Sequence, residues 1–314
     1  MNAKTINNGV WPTMITPFTK ENKIDFAALE KMIEWYIQNG VDGLFAVCQS
    51  SEMFFLDLEE RVKLARFVKE MADGRVQVIA SGHTSDSYED QVRELNRIAE
   101  TGVDAVVLIT NRLAGQGESD AVWQNNLEKL LKELPEEVCL GFYECPYPYK
   151  RLILPEMLKF CADTGRFLFL KDTSCDIENI HAKLDAIKGS SLKIFNANTA
   201  TLLETLKLGV SGYSGVMANF HPDLYVWLLK NWSVRENEAE GLSNFLSMAA
   251  LIERQLYPVN AKYHMNLEGI EMSTLCRSKN HEDFSATFML EVKQLYHLTQ
   301  EYRWNTKQHW DSAK

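Results

Sequence analysis

Eight short runs of almost unbroken apolar residues, at 10–15, 43–47, 76–80, 105–109, 138–143, 167–170, 192–195 and 210–216, set the terms for any fold of this chain. A strand with one wet face alternates between apolar and polar residues. A strand that is apolar at nearly every position must be covered on both faces, which calls for a parallel sheet with helices outside it. The segments between the runs have helical period. Phe26, Leu29, Ile33 and Ile37 recur three or four residues apart in a helix expected over 26–37. A second helix over 57–72 opens with Asp57 and Glu60 at capping-box spacing. Gly40, Gly74 and Gly102 stand where helices end, just ahead of the next run. Eight strand–helix units in series predict an α/β fold of the (β/α)8 type, the TIM barrel. An open doubly wound sheet is the competing reading. It fits less well, because no Gly-x-Gly-x-x-Gly follows the first run and the units number eight.

Past residue 231 the strand signals stop. Residues 236–256 and 284–302 have the pattern of amphipathic helices, joined by a stretch over 257–280 that contains Pro258 and Gly269. No Pro/Gly/Ser-rich linker intervenes. The expected organisation is therefore a barrel over 1–231 and a helical extension over 232–314 packed on it. Lys and Arg total 33 against 43 Asp and Glu, a net charge of −10, with no basic run. Such a chain is a poor candidate for sequence-independent binding to nucleic acid or an anionic membrane, since both rest on positive charge, and neither partner is expected. No apolar stretch reaches the roughly 18 to 20 residues of a membrane span, and the N-terminal residues do not form a secretory signal. The six cysteines include no CxxC pair and suit buried, reduced thiols in a cytoplasmic protein. The seven histidines form no ligand spacing, and no Gly-x-x-x-x-Gly-Lys or Gly-x-Ser-x-Gly is present, so neither a metal nor a cofactor is expected.

In a barrel of this type the chemistry sits at the C-terminal ends of the strands. The sixth run, Phe167-Leu168-Phe169-Leu170, is followed at once by Lys171-Asp172-Thr173. A desolvated ammonium has a lowered pKa, and the free amine can attack a carbonyl to form a Schiff base. The alternatives are a lysine that snorkels to solvent or pairs with Asp172. The fifth run ends at Tyr143. Neighbouring strands lie about 4.8 Å apart, so its phenol can meet Lys171 and serve the proton transfers of imine chemistry, unless it is a core residue with its hydroxyl at the rim. The second run ends in Cys48-Gln49-Ser50-Ser51-Glu52. Its hydroxyls, amide and turn N–H groups suit a carboxylate, although a Ser-Ser pair is also a common turn or cap. Ser214, at the eighth run, joins Gln49, Ser50 and Ser51 as a candidate substrate contact. His83, after the third run, reads more readily as a hydrogen-bonded structural residue.

Several segments together make the chain resemble the dihydrodipicolinate synthase/N-acetylneuraminate lyase family of class I aldolases. They are Pro12-Thr13-Met14-Ile15-Thr16-Pro17-Phe18, Gly40-Val41-Asp42-Gly43-Leu44, Glu52 with Leu58-Glu59-Glu60-Arg61, Tyr143-Glu144-Cys145-Pro146, Lys171-Asp172-Thr173-Ser174, Gly209, Gly212 and Asn219, and Pro258-Val259 with Lys262. The resemblance runs from about Gly9 to Arg277. It implies a homotetramer, an imine between Lys171 and a 2-keto acid such as pyruvate, proton shuttling by Tyr143, and carboxylate binding at Gln49-Ser50. The departures bear on substrate. Gln49 replaces the hydroxyl that extends the family tyrosine's proton relay. Thr110-Asn111-Arg112-Leu113 lacks the tyrosine that the synthases reach into a neighbouring subunit. Pro148 stands where they keep an arginine, with Lys150, Arg151 and Arg112 nearby but out of register, and Ala197-Asn198-Thr199 replaces their Gly-Asp-Asp. These features argue against a lysine-biosynthesis synthase and give N-acetylneuraminate lyase no support. The expectation is a Schiff-base lyase that makes or cleaves a C–C bond between a 2-keto acid and an aldehyde. A dehydratase or hydratase-aldolase using the same imine, and a non-catalytic 2-keto acid-binding barrel, are the alternatives.

Overall fold

The computed structural model describes residues 5–311. Eight strands run in order, each followed by a helix: β1 (Gly9–Val10) and α1 (Phe26–Gln38), β2 (Gly43–Phe45) and α2 (Leu58–Ala72), β3 (Gln77–Ala80) and α3 (Tyr88–Ala99), β4 (Ala105–Ile109) and α4 (Asp120–Glu133). The second half repeats the pattern with β5 (Leu140–Tyr143) and α5 (Pro155–Asp163), β6 (Phe167–Asp172) and α6 (Ile177–Ala186), β7 (Lys193–Asn196) and α7 (Leu202–Leu208), β8 (Gly212–Tyr213) and α8 (Pro222–Asn231). All strand pairs are parallel, in the order β1-β8-β7-β6-β5-β4-β3-β2. A parallel bridge between Thr13 and Phe45 brings the two ends of the sheet together, so the sheet is a nearly closed (β/α)8 barrel. Among the described residues no helix is long and apolar enough to cross a membrane.

The first and last strands are shorter than their apolar runs. Pro12 has no N–H to give, and the chain there changes neighbours. Trp11 N donates to Tyr213 O at 2.8 Å, and one residue later the partner is β2, with Phe45 N donating to Pro12 O at 3.0 Å. The closure is tight. A Cβ at Gly212 would lie 1.9 Å from Gly9 O, so only glycine lets β8 approach β1 this closely.

Inside the barrel, Trp11, Phe45, Phe169 and Phe195 form an aromatic layer with ring centroids 4.5 to 6.1 Å apart. Each fully buried side chain of this kind contributes roughly 1.5–3 kcal/mol of burial. A bulge in β6 sets what stands above this layer. Leu140 pairs with Phe167, but Gly141 pairs with Phe169, so two residues of β6 oppose one of β5. Phe167 stacks on Phe142, which packs on Trp123 of α4 outside the barrel, whereas Phe169 points inward. The two-residue alternation then sends Tyr143 and Lys171 inward, opposite one another in register, and Glu144 and Asp172 outward.

The helix caps follow the sequence. Asp25 caps α1, and the capping box of Asp57 and Glu60 is complete at the start of α2. The C-terminal part holds α9 (Glu236–Ala249), α10 (Val259–Leu267) and α11 (Ala286–Asp311). α10 lies inside the stretch read from the sequence as a connector, and α11 extends beyond the expected residue 302. These helices share the barrel's core through Ala239, Leu242, Leu246, Met265 and Leu295. They are also tied to its mouth by Glu52, which ends the turn after β2. Glu52 Oε1 accepts from Lys262 Nζ at 3.0 Å, and Oε2 accepts from Arg277 N at 2.6 Å and Ser278 N at 2.7 Å. A buried pair held by this many hydrogen bonds fixes the turn against the extension.

Candidate active site

Lys171 is 4% exposed, with its Nζ 4.6 Å from the centroid of the Tyr143 ring. Its neighbour Asp172 does not pair with it. Asp172 lies on the outer face, where its Oδ2 accepts from Lys183 Nζ at 2.6 Å and its Oδ1 accepts from Ser174 N at 2.8 Å. Burial without an ion-pair partner pushes the Lys171 ammonium down to about 8. Burial, followed by the thiols of Cys145 and Cys48, raises the Tyr143 phenol well above its usual value, so it stays protonated and able to donate. Both features suit imine formation.

Lys183 of α6 is fully buried behind the barrel wall. Its Nζ also donates to Glu144 Oε1 at 2.5 Å. Glu144 further accepts from Ile153 N at 2.9 Å and Thr173 N at 3.1 Å. Burial alone would lower the Lys183 ammonium, but Glu144 and Asp172 outweigh it and raise it, so this lysine stays charged. Because Glu144 follows Tyr143 and Asp172 follows Lys171, one ammonium clips together the ends of the two strands that carry the inward pair. Nothing in the local sequence marks this. Lys183 sits in a helix with charged neighbours, 39 and 11 residues from its partners.

The turn after β2 faces the pair. Tyr143 OH donates to Gln49 Oε1 at 3.3 Å, and Cys145 Sγ donates to the same oxygen at 3.4 Å. Ser50 Oγ donates to Thr13 Oγ1 at 3.2 Å. Ser51 is turned back into its own loop, where its hydroxyl accepts from Cys48 N at 2.6 Å and donates to Cys48 O at 2.7 Å. Ser214 is buried, and its hydroxyl has no partner. Gln49, Ser50, Tyr143 and Tyr257 line a cavity of about 360 Å³. A second cavity of about 360 Å³ holds Tyr143, Lys171, Thr173, Asn198, Glu253 and Tyr257. Ser51 and Ser214 line neither.

His83 and Arg112 lie elsewhere. His83 is buried; its Nδ1 accepts from Ile109 N at 3.0 Å, so its Nε2 carries the proton that reaches Gln91 Oε1 at 2.9 Å. Burial pushes it down to about 4, which leaves it neutral. Arg112 pairs with Asp86 and lines a separate cavity of about 630 Å³ that does not include Lys171. The cysteines are all free. Two of them, Cys48 and Cys145, flank the site rather than filling remote core. Tyr257 and Glu253 fall in stretches read from the sequence as a connector and a helix end. No group of three or more His, Cys, Asp and Glu capable of holding a metal occurs among the described residues.

An inward, buried lysine with no ion pair, beside a phenol at the mouth of a (β/α)8 barrel, is an arrangement whose chemistry suits Schiff-base formation. Residues 7–282 match the sequence profile of the Dihydrodipicolinate synthetase family, and the chain belongs to that family. It is a carbon–carbon lyase of the class I aldolase type. The chain is 28% identical over 267 residues to the 4-hydroxy-tetrahydrodipicolinate synthase of Clostridium perfringens, covering 81% of this chain and 86% of that one. Its fold is that of a dihydrodipicolinate synthase from Bacillus anthracis, with a TM-score of 0.84 at 18% identity over 93% of this chain and 98% of that one. It is likewise that of YagE, a prophage protein of the dihydrodipicolinic acid synthase family from E. coli K12 solved with pyruvate. There the TM-score is 0.82 at 23% identity, over 94% and 98% of the two chains.

Proposed function

We propose that the protein is a Schiff-base lyase acting on pyruvate or a related 2-keto acid, and that it makes or breaks a C–C bond to an aldehyde. The observation that carries this reading is the Lys171 amine, buried without a carboxylate partner and 4.6 Å from the Tyr143 ring. In the cleavage direction the Nζ lone pair attacks the keto carbon to give a carbinolamine. Tyr143 donates a proton to the departing oxygen, water leaves, and an iminium remains. The hydroxyl two carbons from the iminium gives its proton to the Tyr143 phenolate, the adjacent C–C bond breaks to release the aldehyde, and its electrons delocalise into the enamine. Protonation of the enamine carbon and hydrolysis then return the amine. Ser50 holds the 2-keto acid's carboxylate, while Ser51 shapes the turn.

Synthesis of dihydrodipicolinate precursors is not the activity we assign, because Pro148 stands at the position where the resemblance calls for an arginine. The aldehyde side of the site is instead lined by Thr173, Asn198 and Glu253. A cytoplasmic homotetramer is the setting that the family supports. Borohydride reduction in the presence of pyruvate should leave a pyruvyl-derived adduct on Lys171, and Lys171→Ala should abolish both adduct and turnover. Absence of an adduct with every 2-keto acid tried would refute the reading. Product analysis on 3-deoxy-2-keto acids separates lyase from dehydratase chemistry.

A further inference from the structure

The two cavities are separate, yet a 2-keto acid anchored at Ser50 and condensed with Lys171 must reach both. Tyr143, Pro146, Val216 and Tyr257 line both and form the partition between them. Only the two tyrosines there carry a polar side-chain group. Tyr143 already gives its proton to Gln49 Oε1. Tyr257 is different, and the orientation of Asn219 shows how.

Asn219 Nδ2 faces two backbone carbonyls, Thr13 O at 2.9 Å and Val216 O at 2.8 Å, so that atom must be the amide nitrogen. Its Oδ1 accepts from the Tyr36 hydroxyl. The same nitrogen, with two hydrogens for three acceptors, shares one of them with Tyr257 OH at 3.1 Å. The phenol oxygen of Tyr257 is therefore an acceptor from below, and its own proton is left to point elsewhere. Its remaining side-chain partner is Ser50, whose proton goes to Thr13. The hydroxyls thus run Tyr257 to Ser50 to Thr13. An arriving anion can turn two of these O–H groups onto itself: Asn219 continues to satisfy the phenol oxygen, and the one bond given up is the long one from Ser50 to Thr13 Oγ1, exchanged for a charge-assisted bond.

We propose that Tyr257 is a substrate-binding residue that, with Ser50, forms a hydroxyl pair for the carboxylate of the 2-keto acid. The inference rests on the carboxylate subsite assigned above to Ser50. It adds the second donor and makes the C-terminal extension, rather than a neighbouring subunit, the source of that donor.

The test uses the full chain and Tyr257→Phe, which removes only the hydroxyl, with Ser50→Ala as a second variant that keeps the phenol. Adduct formation on Lys171 is followed by mass with cyanoborohydride, using pyruvate and its methyl ester. Binding of L-lactate and lactamide, neither of which forms an imine, is followed by calorimetry. The expected result for each variant is about a tenfold rise in the half-saturating pyruvate concentration and about a tenfold weaker lactate affinity. The trapping rate at saturating pyruvate, and the half-saturation for methyl pyruvate, should be unchanged. Equal losses on pyruvate and its ester, an unchanged half-saturation with a slower saturated rate, or lactate binding that is absent or indifferent to both variants would overturn the proposal. If wild-type protein forms no adduct, the Schiff-base reading falls alone, and the lactate series still decides whether the hydroxyl pair exists.

Discussion

The reactivity proposed for Lys171 rests on burial with no carboxylate in ion-pair contact, and that can be tested by supplying one. With the ammonium shifted from 10.5 to about 8, about a tenth of the amine is free at pH 7, against about 0.03% for an ordinary lysine, a gain of about 300-fold. The shift of about 2.5 units corresponds to roughly 3 kcal/mol of destabilised ammonium. The sign follows from burial. The folded protein pays this cost in full below about pH 8 and is relieved of it as pH rises from 8 towards 10.5. Imine trapping at subsaturating pyruvate should accordingly rise about tenfold per pH unit up to a bend near pH 8, then level off.

Cys48 offers the perturbation. Its thiol is buried within electrostatic reach of Lys171, and the N–H groups of Ser51 and Ser50 are turned towards its sulfur. A carboxylate placed there by Cys48→Asp would be stabilised by those donors and would pair with the ammonium. If it restores 2 units of the lost pKa, trapping at pH 7 should fall by about a hundredfold, and the bend should move to about pH 10. Cys48→Asn, similar in shape and neutral, should keep the bend near pH 8. The assay is the initial rate of adduct formation against pH for the three proteins. A wild-type bend near 10.5, or equal losses in the Asp and Asn variants, would refute the argument that desolvation without a counter-charge activates this lysine.

Two further outcomes concern the frame. Lys183→Met leaves Glu144 and Asp172 facing each other in a dry site, so denaturant unfolding should show a loss of about 3–5 kcal/mol; a variant as stable as wild type would show that the clip does not hold the β5 and β6 ends. Gly212→Ala places a Cβ 1.9 Å from Gly9 O, and thermal melting should report at least 1–3 kcal/mol of overpacking at the β1–β8 seam; an unchanged melting temperature would mean that the seam is looser than described.

What could be read from the sequence depended on whether a residue's partners were local. The strands stood out because both their faces are covered, and α2 because Asp57 and Glu60 cap it within one turn. α10 did not. Its polar residues Asn260, Lys262 and His264 are all buried, so it has no wet stripe to set a period against. Lys262 spends its charge on Glu52, 210 residues away. Tyr257, just ahead of α10, was hidden for the same reason, since its partners Asn219 and Ser50 come from distant parts of the chain. The bulge in β6 was equally invisible. Four apolar residues in a row do not say which of them faces inward, and it is the slip between Leu140 and Gly141 that aims Lys171 at Tyr143. Ser51 was legible as a hydroxyl in a turn but not as one already engaged by Cys48.

Three buried lysines make the logic of the site visible, because the same side chain meets three environments. Lys262 has one carboxylate, Glu52, and a backbone carbonyl, Leu275 O at 2.6 Å, and it joins the extension to the barrel mouth. Lys183 has two carboxylates and is raised. Lys171 has an aromatic ring, two thiols and Glu253 within electrostatic reach but in no ion pair with it, and burial outweighs them, so it is lowered. Burial is common to all three and so does not by itself pick out the amine whose pKa is lowered. What distinguishes Lys171 is the one-residue alternation of β6, which turns its adjacent acid to the far side of the strand, where Lys183 neutralises it. The ion pair behind the barrel wall and the amine of lowered pKa within it are therefore parts of one arrangement. Asp172 can follow Lys171 in the chain without stabilising its ammonium because it faces the other side of the strand, where Lys183 holds it.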